Sequence, residues 1–207
     1  MVRRTPPKPF EPQEWILGAN TALFRVVENR PGRSVTTFNP GIGEQTRFAF
    51  FGSPAVPVLY AAQSEEAAVC ESILHDVPPG PGTVLYDNFK GRVCAQLAPT
   101  RDLRLAAFMG DGLRALGTEA KYVTATMASQ YPRTVLWSQA AHEAGYDGVV
   151  WMSHRRETDR AYVLFGDRLA PTDVVQVPGL AHTYAAGPGF DWLADYLASV
   201  GLEILMT

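Results

Sequence analysis

Between Arg47 and Gly80 the chain is punctuated by residues that leave the backbone little freedom: Gly52-Ser53-Pro54, then Pro57, then Ser64 ahead of Glu65-Glu66, then Pro78-Pro79-Gly80. Arg47-Phe48-Ala49-Phe50-Phe51 is an aromatic run that reads as a strand, and the three turn formers after it demand a reversal. Val56, Val58 and Leu59 lead a second strand to Tyr60. Pro57 has no N–H to donate, so it restricts that strand to a sheet edge or belongs among its first residues. Ser64 can cap a helix whose Glu65 and Glu66 suit the positive end of the helix dipole. Pro78 and Pro79 forbid continuation, and the pattern predicts a helix from Glu65 to about His75.

Along that helix, Val69, Cys70, Ile73, Leu74 and Val77 fall on one apolar arc and Glu71 lies at its border. On pattern alone Glu71 is a solvated carboxylate, because charged residues are mostly exposed. Upstream, Leu23-Phe24-Arg25-Val26-Val27 is a short strand carrying one cation. Its Arg25 either points to water from an edge strand or faces a cleft.

The remaining punctuation is coarser. Residues 28–46 are rich in Gly, Pro, Asn, Ser and Thr and read as a loop; Gly41-Ile42-Gly43 within it lacks the strand and helix of a dinucleotide fingerprint. Thr83–Tyr86 and Arg92–Leu97, flanking 87–91, read as a hairpin. Leu103 and Leu105 suggest a strand, and Phe108–Leu116 a short helix capped by Gly117. A helix capped by Thr134 is expected to run to Ala144 and end at Gly145, with Ser138 on it lacking any acid or base partner by spacing. Gly148–Ser153 and Ala161–Phe165 form an expected hairpin around the charged loop His154–Arg160. A linker at 185–189 precedes an amphipathic helix, Phe190–Val200.

Taken together, Arg47-Phe48, Leu59-Tyr60-Ala61-Ala62, Ala67 and Glu71 resemble the RES-domain family, toxins of bacterial toxin–antitoxin pairs named for an Arg, a Glu and a Ser. With Arg25 upstream and Asp147-Gly148 and Ser153 downstream, the likeness spans about residues 22–170. Where many relatives have Ser-Arg, this chain has Ser153-His154-Arg155. The resemblance implies an α+β fold with an ADP-ribosyltransferase-like core of short, mostly antiparallel strands and flanking helices. It also implies an enzyme that consumes NAD.

Breaking the nicotinamide–ribose bond expels a neutral leaving group and leaves an oxocarbenium-like sugar, so positioning and charge matter more than acid–base chemistry. The resemblance makes Arg47, Glu71 and Ser153 the catalytic set. Glu71 would bind the ribose hydroxyls and stabilise the developing positive charge, as carboxylates do in glycoside hydrolysis. Arg25 and Arg47 would hold the pyrophosphate with their planar donor forks. Tyr60 would pack against the nicotinamide, and Ser153 would hydrogen-bond its carboxamide or the ribose. Water as acceptor gives an NAD glycohydrolase, phosphate an NAD phosphorylase, and a protein side chain an ADP-ribosyltransferase. Transferases of the wider fold often carry a Glu or Gln two residues before the catalytic Glu; Val69 stands there and favours a small acceptor. A catalytically silent binding module of the same fold is the remaining alternative.

Composition bounds the rest. At 207 residues the chain can bury one substantial core,. It reads as an extended arm over 1–14, which holds four of the 16 prolines, and a single domain over 15–207. A net charge of −3 argues against direct nucleic-acid binding,. No apolar run reaches signal-peptide or membrane-span length, so a cytoplasmic protein without membrane contact is expected. Two cysteines and four scattered histidines lack metal-site spacing, and no metal is expected,. A toxin of this family is expected beside a cognate Xre-type antitoxin, since 1–14 could cover little of a cleft.

Overall fold

In the computed structural model, which describes residues 2–206, the chain forms β1 (Glu14–Leu17), β2 (Leu23–Glu28), β3 (Val58–Ala62), α1 (Glu65–Cys70), β4 (Gly82–Leu85), β5 (Arg92–Pro99) and β6 (Leu103–Ala107). It continues through α2 (Gly110–Ala115), α3 (Ala120–Val123), α4 (Tyr131–Glu143), β7 (Gly148–Ser153), β8 (Arg156–Phe165), β9 (Val174–Thr183), α5 (Pro188–Ser199) and β10 (Leu202–Leu205). Eight strands form one sheet in the order β1-β6-β7-β8-β3-β2-β5-β9, antiparallel throughout except where β6 meets β7. The fold is thus α+β, with a mostly antiparallel sheet and helices flanking it.

Alternation along the strands divides the core. Phe48, Trp137, Trp151 and Phe165 pack together beneath α4; Leu23, Leu59, Leu105 and Leu164 form a second cluster. A third joins Val69 of α1 to Leu193 and Leu197 of α5. At Gly148 the strands approach so closely that a Cβ would lie 2.2 Å from the Val163 carbonyl oxygen, which accounts for the glycine after Asp147.

The sheet is not uniformly knitted. β2 pairs with β5 in six registers and β3 with β8 in five, but β2 and β3 share only Phe24↔Ala62. Beyond that pair the two strands diverge, and residues 29–57 run through the fork. Asn39 exchanges backbone hydrogen bonds with Val58 there, 2.7 and 2.9 Å long, in place of a strand partner from β2. The fork is where the site lies.

Several expectations need correction. Arg47–Phe51 is not a strand but a tight turn closed by Thr46 and Ala49, which drives Phe48 into the core at 0% exposure. The reversal at Gly52, with φ of 87°, does occur. α1 stops at Cys70 rather than near His75: Ser72 Oγ donates 2.5 Å to Ala68 O, and the Leu74 N–H bonds back to Val69 O, so local bonds take the carbonyls that a longer helix would use,. β4 and β5 make no hairpin; β4 pairs in parallel with β10, while β5 enters the large sheet. α4 begins at Tyr131, and Thr134 lies inside it. The charged run 154–160 is largely strand, being the first half of β8. β9 and β10 were not anticipated.

Ser64 caps α1 as expected, accepting from the Ala67 N–H at 3.1 Å. Residues 2–13 carry neither strand nor helix, yet they are tied down: Arg3 N–H donates to Gly117 O, and Phe10 packs edge-on against Phe108. Met1 and Thr207, which close the expected arm and domain ranges, lie outside the described residues.

Candidate functional site

A cavity of about 460 Å3 occupies the fork between β2 and β3, lined by Phe24–Val26 from one strand, Tyr60–Ala62 from the other, and Arg47, Glu71 and Tyr131. Its size suits a small-molecule ligand. All five residues singled out from the sequence bear on it. Arg25, Arg47, Tyr60 and Glu71 line it, and Ser153 reaches it through Glu71.

Glu71 is the C-cap of α1. Glu71 keeps a helical position, its N–H bonded to Ala67 O at 2.9 Å, but partners from other elements cover the face that its spacing assigns to solvent, and its side chain is only 17% exposed. A carboxylate at this end meets the negative pole of the helix dipole, so local preference does not hold it there. Its partners do. Ser153 Oγ donates to Glu71 Oε1 at 2.6 Å, and Arg47 Nη1 lies 3.6 Å from Oε2. Ser153 ends β7, is fully buried, and itself accepts the Arg156 N–H at 3.2 Å across the turn into β8. Its proton is committed to the carboxylate, which makes it an orienting group rather than a nucleophile.

Arg47 arrives on the turn that follows residues 28–46. Its carbonyl accepts a hydrogen bond from Thr134 Oγ1 of α4, and its guanidinium lies over the Tyr131 ring, 5.8 Å from the centroid. The guanidinium is incompletely satisfied: Nε is buried without a partner. A buried donor left unpaired costs about 1–3 kcal/mol, an expense that a ligand oxygen would remove.

Tyr60 braces the same turn. Its hydroxyl accepts the Phe48 N–H at 3.1 Å and lies 2.8 Å from Thr46 Oγ1, so only the ring is available to the cavity. Burial pushes its phenol up to about 12.

Arg25 does not point to water. β2 is an interior strand, and Arg25 is 5% exposed, its Nη1 donating to Val35 O at 2.6 Å and Thr37 O at 3.0 Å. Burial, with Arg33 nearby, pushes the guanidinium down to about 9. Among the described residues no carboxylate lies within ion-pair distance of it. Carbonyl dipoles alone hold this buried cation, and its chemistry suits it to an anionic group,.

Two further lining groups had no sequence signal. Tyr131 and His75 line the cavity and lie within hydrogen-bond distance of each other; Tyr131 stands just ahead of the expected helix capped by Thr134, and His75 marked only the expected end of the helix from Glu65. Arg155 lies away from the cavity. Its guanidinium holds the turn after α1, donating to His75 O at 2.7 Å and Val77 O at 3.1 Å, so it does not take the place of an arginine directly after the serine.

Residues 22–185 match the family model described as the RES domain. No curated protein sequence matches the chain. Seven chains of known structure do, among them one in the crystal structure of the M. tuberculosis MbcT–MbcA toxin–antitoxin complex. That alignment covers 90% of this chain and 91% of the other with a TM-score of 0.61; at 12% identity it is a likeness of fold.

Proposed function

Because the chain belongs to the RES-domain family, we propose that it is an NAD-consuming toxin that cleaves the nicotinamide–ribose bond of NAD+ by hydrolysis or phosphorolysis. The observation that carries this reading is the meeting of Arg47 and Glu71 in one cavity, with Ser153 bonded to Glu71 behind its wall and Arg25, a buried arginine without a carboxylate partner among the described residues, also lining it.

Arg25 and the unfilled Nε of Arg47 take the two anionic phosphates, for which guanidinium forks are well matched. The diphosphate thereby supplies the counter-charge that Arg25 lacks. Tyr60 offers a ring face to the nicotinamide. Glu71, held by Ser153, accepts from the ribose hydroxyls and faces the positive charge that grows on the sugar as the bond breaks; fixed charge of this kind is commonly the largest catalytic contribution. The electron pair of the bond passes to the pyridinium nitrogen, and nicotinamide leaves neutral.

Transfer to a protein side chain is less well supported. Val69, two residues before Glu71, is fully buried in the core, so the position offers no second polar group to an acceptor. Mass spectrometry of NAD+ incubated with the purified chain, with and without phosphate, distinguishes ADP-ribose, its 1″-phosphate and ADP-ribosylated protein; unchanged NAD+ under all conditions removes the reading.

A cytoplasmic enzyme of this kind depletes its host, and a fold relative occurs in a toxin–antitoxin complex. The corresponding partner here is an Xre-type antitoxin that covers the fork and sets a carboxylate against Arg25 and Arg47. Expression alone should then arrest growth and lower cellular NAD+, and co-expression with the antitoxin should restore both.

A further inference from the structure

One wall of the cavity holds a hydrogen-bonded chain, running outward to the exposed Asp76, that none of the roles above uses. Tyr131, the first residue of α4, has its hydroxyl 3.0 Å from His75 Nε2, and His75 Nδ1 lies 2.8 Å from Asp76 Oδ1. A carboxylate only accepts, so Nδ1 carries the ring proton of the neutral imidazole and Nε2 is left as an acceptor. Tyr131 therefore donates to His75. Burial raises the Tyr131 phenol above its ordinary range and keeps that proton in place. The turn bearing His75 is fixed from behind by Arg155, and the Tyr131 ring lies beneath Arg47, whose Nη1 faces Glu71. The charged groups facing this pair are Arg47 from the 46–49 turn, Glu71 from the end of α1, Asp76 beside it, and Arg155 from the β7–β8 turn.

Glu71 Oε1 accepts from Ser153, Oε2 faces Arg47 at 3.6 Å, and in the role above the remaining acceptor capacity goes to the ribose hydroxyls, which leaves Glu71 occupied when a nucleophile arrives,. An acceptor that must lose a proton needs another base. We infer that His75, acting through the Tyr131 hydroxyl, is the general base of the reaction proposed above and that its acceptor is water.

The step balances as follows. The C1′–N1 bond breaks with its electron pair going to nicotinamide, and a water oxygen forms the new bond to C1′. The water proton passes to the Tyr131 oxygen as the Tyr131 proton passes to His75 Nε2, leaving an imidazolium beside the Asp76 carboxylate. Tyr131 is the catalytic residue that touches the water; His75 takes the proton, and Asp76 is a positioning residue that fixes the tautomer. Phosphate arrives already ionised and needs no such relay, so the presence of one favours water.

The inference rests on the NAD-cleaving reading, and the experiment separates the two. Nicotinamide release is measured against pH for the wild-type chain, Tyr131→Phe, His75→Ala and Asp76→Asn, in water alone and with azide, an anionic nucleophile that needs no deprotonation. Tyr131→Phe keeps the ring under Arg47. The wild type should lose activity as pH falls and the base of the relay becomes protonated. Tyr131→Phe and His75→Ala should each lower kcat on the order of 10²-fold with KM little changed, as removal of a general base does. His75→Ala should lose the acid limb and regain it with added imidazole, azide should restore turnover in both, and Asp76→Asn should show a smaller loss. Equal loss with water and azide, an intact acid limb in His75→Ala, raised KM at constant kcat, or predominant 1″-phosphate formation when phosphate is present would each overturn the relay. In all of those cases nicotinamide is still released. A folded wild-type chain that releases none sinks the NAD-cleaving reading and the relay with it.

Discussion

Replacing Ser153 by alanine removes one hydroxyl that serves two masters. It donates to Glu71 Oε1 at 2.6 Å and accepts the Arg156 N–H at 3.2 Å, in a position with no access to water. A hydrogen bond to a charged group contributes roughly 1.5–3 kcal/mol. If it matters mainly when Glu71 faces a cationic sugar, its loss corresponds to roughly a 10- to 150-fold fall in kcat at about 1.36 kcal/mol per factor of ten. The orphaned Arg156 N–H adds a stability loss of about 1–3 kcal/mol, which for a chain of this size lowers the melting temperature by several degrees. Steady-state nicotinamide release with a thermal melt on the same sample measures both. Loss of all turnover in a folded variant would mean that Ser153 does covalent chemistry, and unchanged turnover would mean that Glu71 needs no orienting; either result refutes the role argued here.

Arg47→Lys should weaken NAD+ binding on the order of tenfold by calorimetry, since a point charge cannot both face Glu71 as Nη1 does and present a second donor, Nε, to a diphosphate,. Arg25→Lys should act in the same direction but less, and should also loosen the 29–57 segment, because a single ammonium cannot reproduce the bonds to Val35 O and Thr37 O. Asp159, which accepts from Ser64 and Arg156, has a carboxyl lowered from its usual range: burial opposes the shift, and these two donors outweigh it. Its contribution to stability is therefore present above the unfolded carboxyl value, near 3.8, and is lost as pH falls through the lower folded value,. Asp159→Asn should flatten that acid branch of a pH–melting profile. Gly148→Ala should cost about 1–3 kcal/mol or more, because its Cβ would meet backbone rather than a yielding side chain,.

Local chemistry was the most legible part of the sequence. The Ser64 cap, the reversal at Gly52, the helix ends at Gly117 and Gly145, and the pairing of β7 with β8 all follow from residues close to one another in the chain. What failed depended on distant partners. Arg47–Phe51 has strand composition, but with Thr46 and Ala49 bonded to each other the segment turns and commits Phe48 to the core beneath α4. β4 carries the residues of a hairpin arm, yet its partner β10 lies over a hundred positions away. β9 carries no strand signal because most of its side chains are exposed on a sheet edge.

The site was legible as separate residues named by a family likeness, not as a geometry. Spacing put Glu71 on a solvated helix face; the face is covered instead by Ser153 of β7 and Arg47 of the 46–49 turn, partners that helix periodicity cannot show. Arg25 could be read either way until β2 proved to be an interior strand. Tyr131 and His75 had no signal, since their meaning is a contact between elements 56 positions apart.

Glu71, held between Ser153 and Arg47, is the group proposed to drive NAD+ cleavage in the fork between β2 and β3. Proton NMR of NAD+ incubated with the purified wild-type chain and with Glu71→Ala, both shown to be folded, tests it most directly. Free nicotinamide should accumulate with the wild type, and the rate should fall on the order of 10²-fold or more in the variant, as loss of the charge facing the oxocarbenium requires. Equal rates of release in the two proteins, or intact NAD+ with the wild type, would contradict it.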